Sequence, residues 1–488
     1  MKFSFAVDVA ALAAAEHLLV IAPKTAFGPR ARAAAAFAKW LPKDLHTLVQ
    51  LLGDEAAPGL LGGAATSRTA SGKRVTVGAL ADAPSRHNSP ARAEGIRRLV
   101  AGSGLAGQRH AAVLIVLDDP AHALAAANAI GRALPTYSAK SSQKPAGALA
   151  IALVQANGRA IAVDARTRTI VERAREAAHF VDTPPTELDP AAFGAAAVKV
   201  CKGLRGVRVR QIVGDALLRA KLGGIHGVGR CARSAPRLVV AEAGPRRGPH
   251  IALVGKGITY DTGGLHLKAR GAMETMKSDM GGAAAVLGAF AALAAQEPPC
   301  RLSLLLCLAE NAIGPAAYKP DDVLTLHSGK TVEINNTDAE GRLLLADGCS
   351  YAARVLGADV VLDAATLTGA QGVATGDLHA AVISNDEAVE QALLAAGRAT
   401  GDLCWPLPFA PELYRAEFQS PIADMRNSVK NRSNAQVSCA AEFVHWHLEG
   451  TKARWGHVDL AFPAFRGDRG TGFGVALLAD AVHRLAST

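Results

Sequence analysis

Four largely apolar runs, at residues 238–241, 251–254, 302–308 and 360–364, limit the folds open to this chain. None shows a regular polar–apolar alternation. A strand with one face in water alternates, whereas a strand covered on both faces does not. Helix-compatible sequence separates each run from the next, so helices are at hand to cover both faces of one sheet. The expected core is a mostly parallel or mixed sheet in a three-layer α/β/α sandwich. In such sheets ligands gather in the loops that follow the strand ends.

A second, smaller α/β pattern precedes it. Residues 18–22, 74–78, 112–117 and 149–153 read as strands, and 31–39 and 120–132 as helices. The stretch 137–147 is rich in Ser, Lys and Pro and reads as a loop. A charged helix is expected over 167–180, broken by the DTPP sequence at 182–185. This places an N-terminal α/β domain at 1–166, a linker at 167–185 and a larger domain at 186–488. The Ala-rich start resembles a signal peptide, but Asp8 interrupts it, and 17–22 reads better as the first strand. The run 281–296 suits a buried helix. No stretch of about 18 apolar residues occurs, so no membrane span is expected.

The 488 residues carry a net charge of +10, unevenly placed. Residues 1–175 hold 22 Lys/Arg against 11 Asp/Glu, while the remainder is close to neutral. Such asymmetry marks nucleic-acid or membrane-surface contact, a solvated surface, or charge that balances a neighbouring subunit. No basic run forms. The seven cysteines include no CxxC pair, which points to free thiols in a reducing, cytoplasmic setting.

Several catalytic signatures are missing. There is no HExxH zinc motif and no GxSxG elbow. The tripeptide Gly329-Lys330-Thr331 looks like the end of a phosphate loop, but Leu324 stands where that loop needs glycine. Instead, acidic residues collect near the predicted strand ends. The run 251–254 enters a glycine-rich loop, GKGITYDTGG at 255–264, with Lys256 and Asp261. Lys268 and Asp279 follow, and Asp338, Glu340 and Arg342 form a third cluster. Oxygen ligands of this kind suit magnesium, manganese or zinc, and two metals can share bridging carboxylates. Surface acids in ordinary loops remain the alternative from chemistry alone.

The segment NTDAEGRLLLAD at 336–347 resembles the signature of the leucyl (cytosol) aminopeptidase family. The likeness extends to VGKGITYDTGG at 254–264, LK at 267–268, MKSDMGGAAAV at 276–286 and DAATLTGA at 363–370. It continues weakly through 456–461 and 471–477 and covers essentially all of 180–488. It is closer to the branch of probable aminopeptidases of the leucyl type.

This resemblance implies a peptidase that removes N-terminal, Leu-like residues from short peptides by attack of a metal-bridging hydroxide. Two divalent ions per subunit, manganese or zinc, are implied. Asp261 and Glu340 would bridge them, Asp338 would complete the exchangeable site, and Lys256 and Asp279 the tighter one. Lys256 would then be a neutral amine, which two nearby dications favour. Lys268 would polarise the scissile carbonyl. Arg342 would hold a bicarbonate ion acting as general base. Met276, Thr366, Leu367 and Gly369 match positions that line the pocket for the first residue, and a methionine wall suits apolar side chains. The loop 420–438, SPIADMRNSVKNRSNAQVS, departs from the glycine-rich stretch of many members. The family also implies a homohexamer with sites facing an internal cavity. A DNA-binding accessory role of the basic N-terminal part is the alternative function. His445 and His447 are expected not to share a helix face. His266, between Leu265 and Leu267, is expected in strand alternation.

Overall fold

The computed structural model describes residues 1–5, 8–28, 32–142 and 147–487. They form two units: 1–172 with 397–401, and 173–396 with 402–488. The helix Ala165–Asp182 runs across the division. It begins after Asp164, whose carboxylate accepts the Thr167 N–H at 2.7 Å, an N-cap bond. It stops where Pro184 and Pro185 remove donors.

The first unit is built on six strands: β1 (Lys2–Phe5), β2 (His17–Pro23), β3 (Gly63–Arg68), β4 (Arg74–Leu80), β5 (His110–Leu117) and β6 (Ala148–Gln155). Their order is β1-β6-β5-β2-β4-β3, parallel except for the β3–β4 pair. The strand expected first is therefore β2. KFSF alternates exposed with half-buried residues, as an edge strand does, and forms β1 ahead of it. The helix expected from residue 31 is Ala34–Trp40, and residue 31 itself lies outside the described residues. The described part of the 137–147 loop holds neither helix nor strand; 143–146 lie outside the described residues.

The second unit contributes β7 (Arg208–Val213), β8 (Arg237–Ala243), β9 (His250–Asp261), β10 (Arg301–Asn311), β11 (Val323–Thr325), β12 (Thr331–Glu333), β13 (Val360–Ala365), β14 (Ala380–Ser384), β15 (Cys404–Pro406), β16 (Met425–Arg426) and β17 (Arg454–Asp459). Eight of these make one mixed sheet, ordered β15-β14-β17-β13-β9-β10-β8-β7. Its centre, β17-β13-β9-β10, is parallel throughout. β11, β12 and β16 form a small separate sheet.

Helices cover both faces of the large sheet. A Cβ at Gly255 would lie 2.5 Å from Ala283, in the helix Gly281–Ala294. The preceding residue, Val254, packs against Gly348 in the helix Gly341–Arg354. Neighbouring strand residues point to opposite faces, so these helices form the two outer layers. The helix Gly281–Ala294 is buried on all sides, as its wholly apolar sequence requires. Among the described residues no helix is long and apolar enough to cross a membrane. All seven cysteines are free and six are buried.

One expectation is corrected. The segment after residue 254 is not a loop: β9 continues through it to Asp261. Its glycines serve packing. A side chain at Gly257 would meet Leu308 at 2.4 Å, and one at Gly255 would strike the covering helix.

Candidate active site

Lys256 and Asp261 both lie on β9, five residues apart. Regular alternation would turn them to opposite faces. A bulge prevents this. Ile258 pairs with Ala309, yet Asp261 pairs with Asn311, so β9 carries one extra residue. The bulge reverses the alternation and brings both side chains into one cavity. Asp261 is fixed there by N–H bonds from Gly263 at 2.9 Å and the Asn311 amide at 2.8 Å.

Asp279 enters from the short 3₁₀ turn Met276–Met280 that leads into the buried helix. Lys268 follows the turn after β9. Gly263 there has φ +84°, and a side chain on it would press on Asp338 Oδ1 at 2.9 Å and His266 O at 2.4 Å. Asp338 and Glu340 lie between β12 and the helix Gly341–Arg354, and Arg342 is in its first turn. Gly341 leaves room for the Lys256 stem, which would come within 2.4 Å of a side chain at that position.

The charges interleave. Lys256 Nζ lies 2.7 Å from Asp279 and 3.0 Å from Glu340. Lys268 Nζ lies 2.8 Å from Asp261 and 2.6 Å from Asp338. Burial alone would lower both lysine pKa values, but the surrounding carboxylates outweigh it and raise them. Burial, reinforced by Asp261, raises the carboxyls of Asp279 and Glu340 against the pull of Lys256. Burial draws the Arg342 guanidinium down to about 10.

The donor set fits divalent cations. Asp261, Asp338 and Glu340 each offer an oxygen within 4.8 Å of the others. Asp279 Oδ2 and Glu340 Oε2 are buried with no hydrogen-bond partner. Buried carboxylate oxygens without donors are costly unless a cation completes them.

The cavity holds about 410 Å³. Every residue singled out from the sequence as a ligand, catalytic group or pocket wall lines it: the four carboxylates, Lys256, Lys268, Arg342, Met276, Thr366, Leu367 and Gly369. Thr366 does more than form a wall. Its hydroxyl donates to Asp279 at 2.8 Å and its carbonyl accepts from Lys256 at 2.7 Å. His266 is not in strand alternation. It sits in a bend, forced by the turn at Gly263 and Gly264, with its ring nitrogen 3.2 Å from Thr337. His445 packs on Phe409, while His447 pairs with Ser328 at 2.7 Å, so they converge on nothing.

Two residues escaped the sequence reading. Asn427 is fully buried in the 420–438 loop. Its side-chain oxygen accepts the N–H groups of Asn335 and Asn336 at 2.9 and 3.1 Å. Its amide donates to the carbonyls of Asn336 and Ala339 at 2.6 and 3.2 Å. Asp459 holds the opposite wall, accepting from Leu367 N–H at 3.1 Å and the Thr368 hydroxyl at 2.8 Å. Asp459 lies within the weak 456–461 motif, the one signal that could have found it.

Carboxylates, amines and a guanidinium gathered at the ends of parallel strands define a hydrolase-type site suited to bound cations. Residues 175–479 match the cytosol aminopeptidase family, catalytic domain, and residues 46–143 match the M17 aminopeptidase N-terminal domain 2. The chain belongs to the cytosol aminopeptidase family. The N-terminal match goes beyond the resemblance read from the sequence, which covered 180–488. Over 417 residues the chain is 47% identical to the human Probable aminopeptidase NPEPL1, covering 83% of this chain and 78% of that protein. It is similar to the leucyl aminopeptidase of Trypanosoma cruzi, with TM-score 0.89 and 38% identity, over 98% of this chain and 96% of that one. The leucyl aminopeptidase of Trypanosoma brucei, in complex with bestatin, gives TM-score 0.89 and 35% identity over 99% and 95%.

Proposed function

We propose that this chain is a dinuclear metal-dependent aminopeptidase that removes N-terminal, Leu-like residues from short peptides. The observation that carries this reading is the convergence of Lys256, Asp261, Lys268, Asp279, Asp338, Glu340 and Arg342 on one cavity in a chain of this family.

Asp261, Glu340, Asp338, Asp279 and Lys256 would hold two divalent ions, manganese or zinc. Bound there, such ions supply Lewis acidity and a water of lowered pKa. Asp279 would also receive the free α-amine of the peptide, restricting cleavage to the first residue. Lys268 would face the scissile carbonyl oxygen and balance the charge it gains. Arg342 would hold a bicarbonate ion, which supplies a general base. Water adds to the carbonyl carbon, the C–N bond breaks, and a free amino acid and a shortened peptide leave. Met276, Thr366, Leu367 and Gly369 would receive the first side chain, with Phe462 and Phe465 adding apolar wall.

The test is release of leucine from Leu-p-nitroanilide by the purified protein with added manganese. Bestatin, bound in the Trypanosoma brucei relative, is expected to compete. We further propose domains at 1–166 and 186–488 joined by 167–185, a homohexamer, and a cytoplasmic location. The last is supported by relatives named cytosol aminopeptidases and by the free thiols. The DNA-binding alternative has only the basic excess of residues 1–175 behind it.

A further inference from the structure

We propose that Ser428, Arg432 and Gln436 form an outer subsite for a substrate carboxylate, the C-terminal carboxylate of a di- or tripeptide. The inference rests on the aminopeptidase reading and adds what kind of peptide the site selects.

The cations lining the cavity divide into two kinds. Lys256 and Lys268 are ion-paired, and Arg342 donates to the Asn427 carbonyl. Arg432 is exposed and lines the same cavity. Among the described residues its guanidinium has neither hydrogen bond nor ion pair. Ser428 and Gln436 line the cavity too, and their side chains are likewise without a protein hydrogen bond among the described residues. Three residues of one segment thus line the cavity with the bonding capacity of their polar side chains unused.

The segment is built to hold Arg432 in place. Glu417 accepts the Asn431 N–H at 2.9 Å on one carboxylate oxygen and the Asn434 amide at 2.8 Å on the other. Asn431 in turn accepts the Ser433 N–H at 3.0 Å. The backbone is pinned on both sides of Arg432, and the nearby carboxylate is already engaged. Residues 420–438 contain no glycine, so this rim carries side chains throughout. A pinned segment spends less entropy when a ligand arrives.

A guanidinium presents two parallel N–H donors to a carboxylate. A cavity of about 410 Å³ lies at the small end of ligand sites, on the order of 300–1,000 Å³. A short peptide held by its amino end in such a space keeps its carboxyl end close by. The subsite would favour short free-acid peptides over amides and longer chains.

The test uses manganese-loaded enzyme with Leu-Ala, Leu-Ala-amide and Leu-Glu-amide. The wild type is expected to show a KM for Leu-Ala about ten-fold below that for its amide. Arg432→Gln should collapse that ratio through KM, with kcat little involved, and Arg432→Lys should restore part of it. Lys430→Gln removes a neighbouring charge that does not line the cavity and should leave the ratio intact. A ratio that survives Arg432→Gln, or falls equally in Lys430→Gln, overturns the subsite while the peptidase reading stands. Leu-Glu-amide cleaved in preference to Leu-Ala, in an Arg432-dependent way, overturns the C-terminal assignment. No leucine from any substrate sinks the peptidase reading and the subsite with it.

Discussion

Arg342 donates a hydrogen bond to the backbone carbonyl of Asn427 at 2.9 Å. One buried residue therefore holds the arginine through its main chain and, through its side chain, the segment that carries Asp338 and Glu340. Asn427→Ala deletes all four side-chain bonds. A fall in stability of about 2–4 kcal/mol is expected from the buried groups left unpaired. We expect kcat to drop more than KM changes. Denaturant unfolding alongside steady-state kinetics measures both, and full kcat in a stable variant would contradict the assigned role.

Lys268→Ala tests charge balance at the carbonyl. Removing one preorganised donor typically costs about 10²–10³ in kcat. KM for Leu-p-nitroanilide should change far less. An equal loss in both parameters would assign Lys268 to substrate binding instead.

Metal removal should abolish turnover. After a chelator and dialysis, activity should return with manganese, zinc, cobalt or magnesium in some order of preference. Titration calorimetry with manganese alone should give two sites per chain, and Glu340→Ala should lose them. Undiminished turnover in chelator would sink the two-metal assignment.

Acid should destabilise the fold through its buried histidines. Burial, with Lys330 and Arg354 nearby, lowers His447 to about 3. Burial likewise lowers His327 and His445 to about 4. The folded pKa is depressed, so the native state binds fewer protons than the unfolded chain below about pH 6.5. Stability is full above pH 6.5 and falls as pH drops toward these values. The Tm of His447→Gln should depend less steeply on pH between about 6.5 and 4 than the wild type. Parallel curves would remove His447 from the account.

Assembly has a simple measurement. Light scattering is expected to give a mass about six times that of one chain. A monomer at assay concentration would contradict the hexamer.

The layer architecture was legible because its cause is local: apolar runs without alternation belong to strands covered on both faces. The candidate site was legible where its residues fall in short motifs, from Lys256 to Arg342. The extent of β9 was not. Its glycines look like loop residues, and only the packing of Ala283 and Leu308 explains them. Asn427 was hidden for another reason. Its partners lie about ninety residues earlier, and no spacing rule reaches that far. His266 misled because two flanking leucines imitate a strand, while the positive φ at Gly263 and Gly264 turns the chain instead.

The bulge in β9 gives the site a reading frame. Side-chain direction along a strand is a matter of odd and even, and one extra residue between Ile258 and Asp261 shifts the count. A β9 with these same residues but no bulge, paired one for one with β10, would keep every side chain of the cluster in the sequence. It would nevertheless turn Asp261 toward the helix Gly281–Ala294, away from Lys256. Substitutions at Thr259 or Tyr260 leave the count intact. At this point of the chain, pairing carries information that residue identity does not.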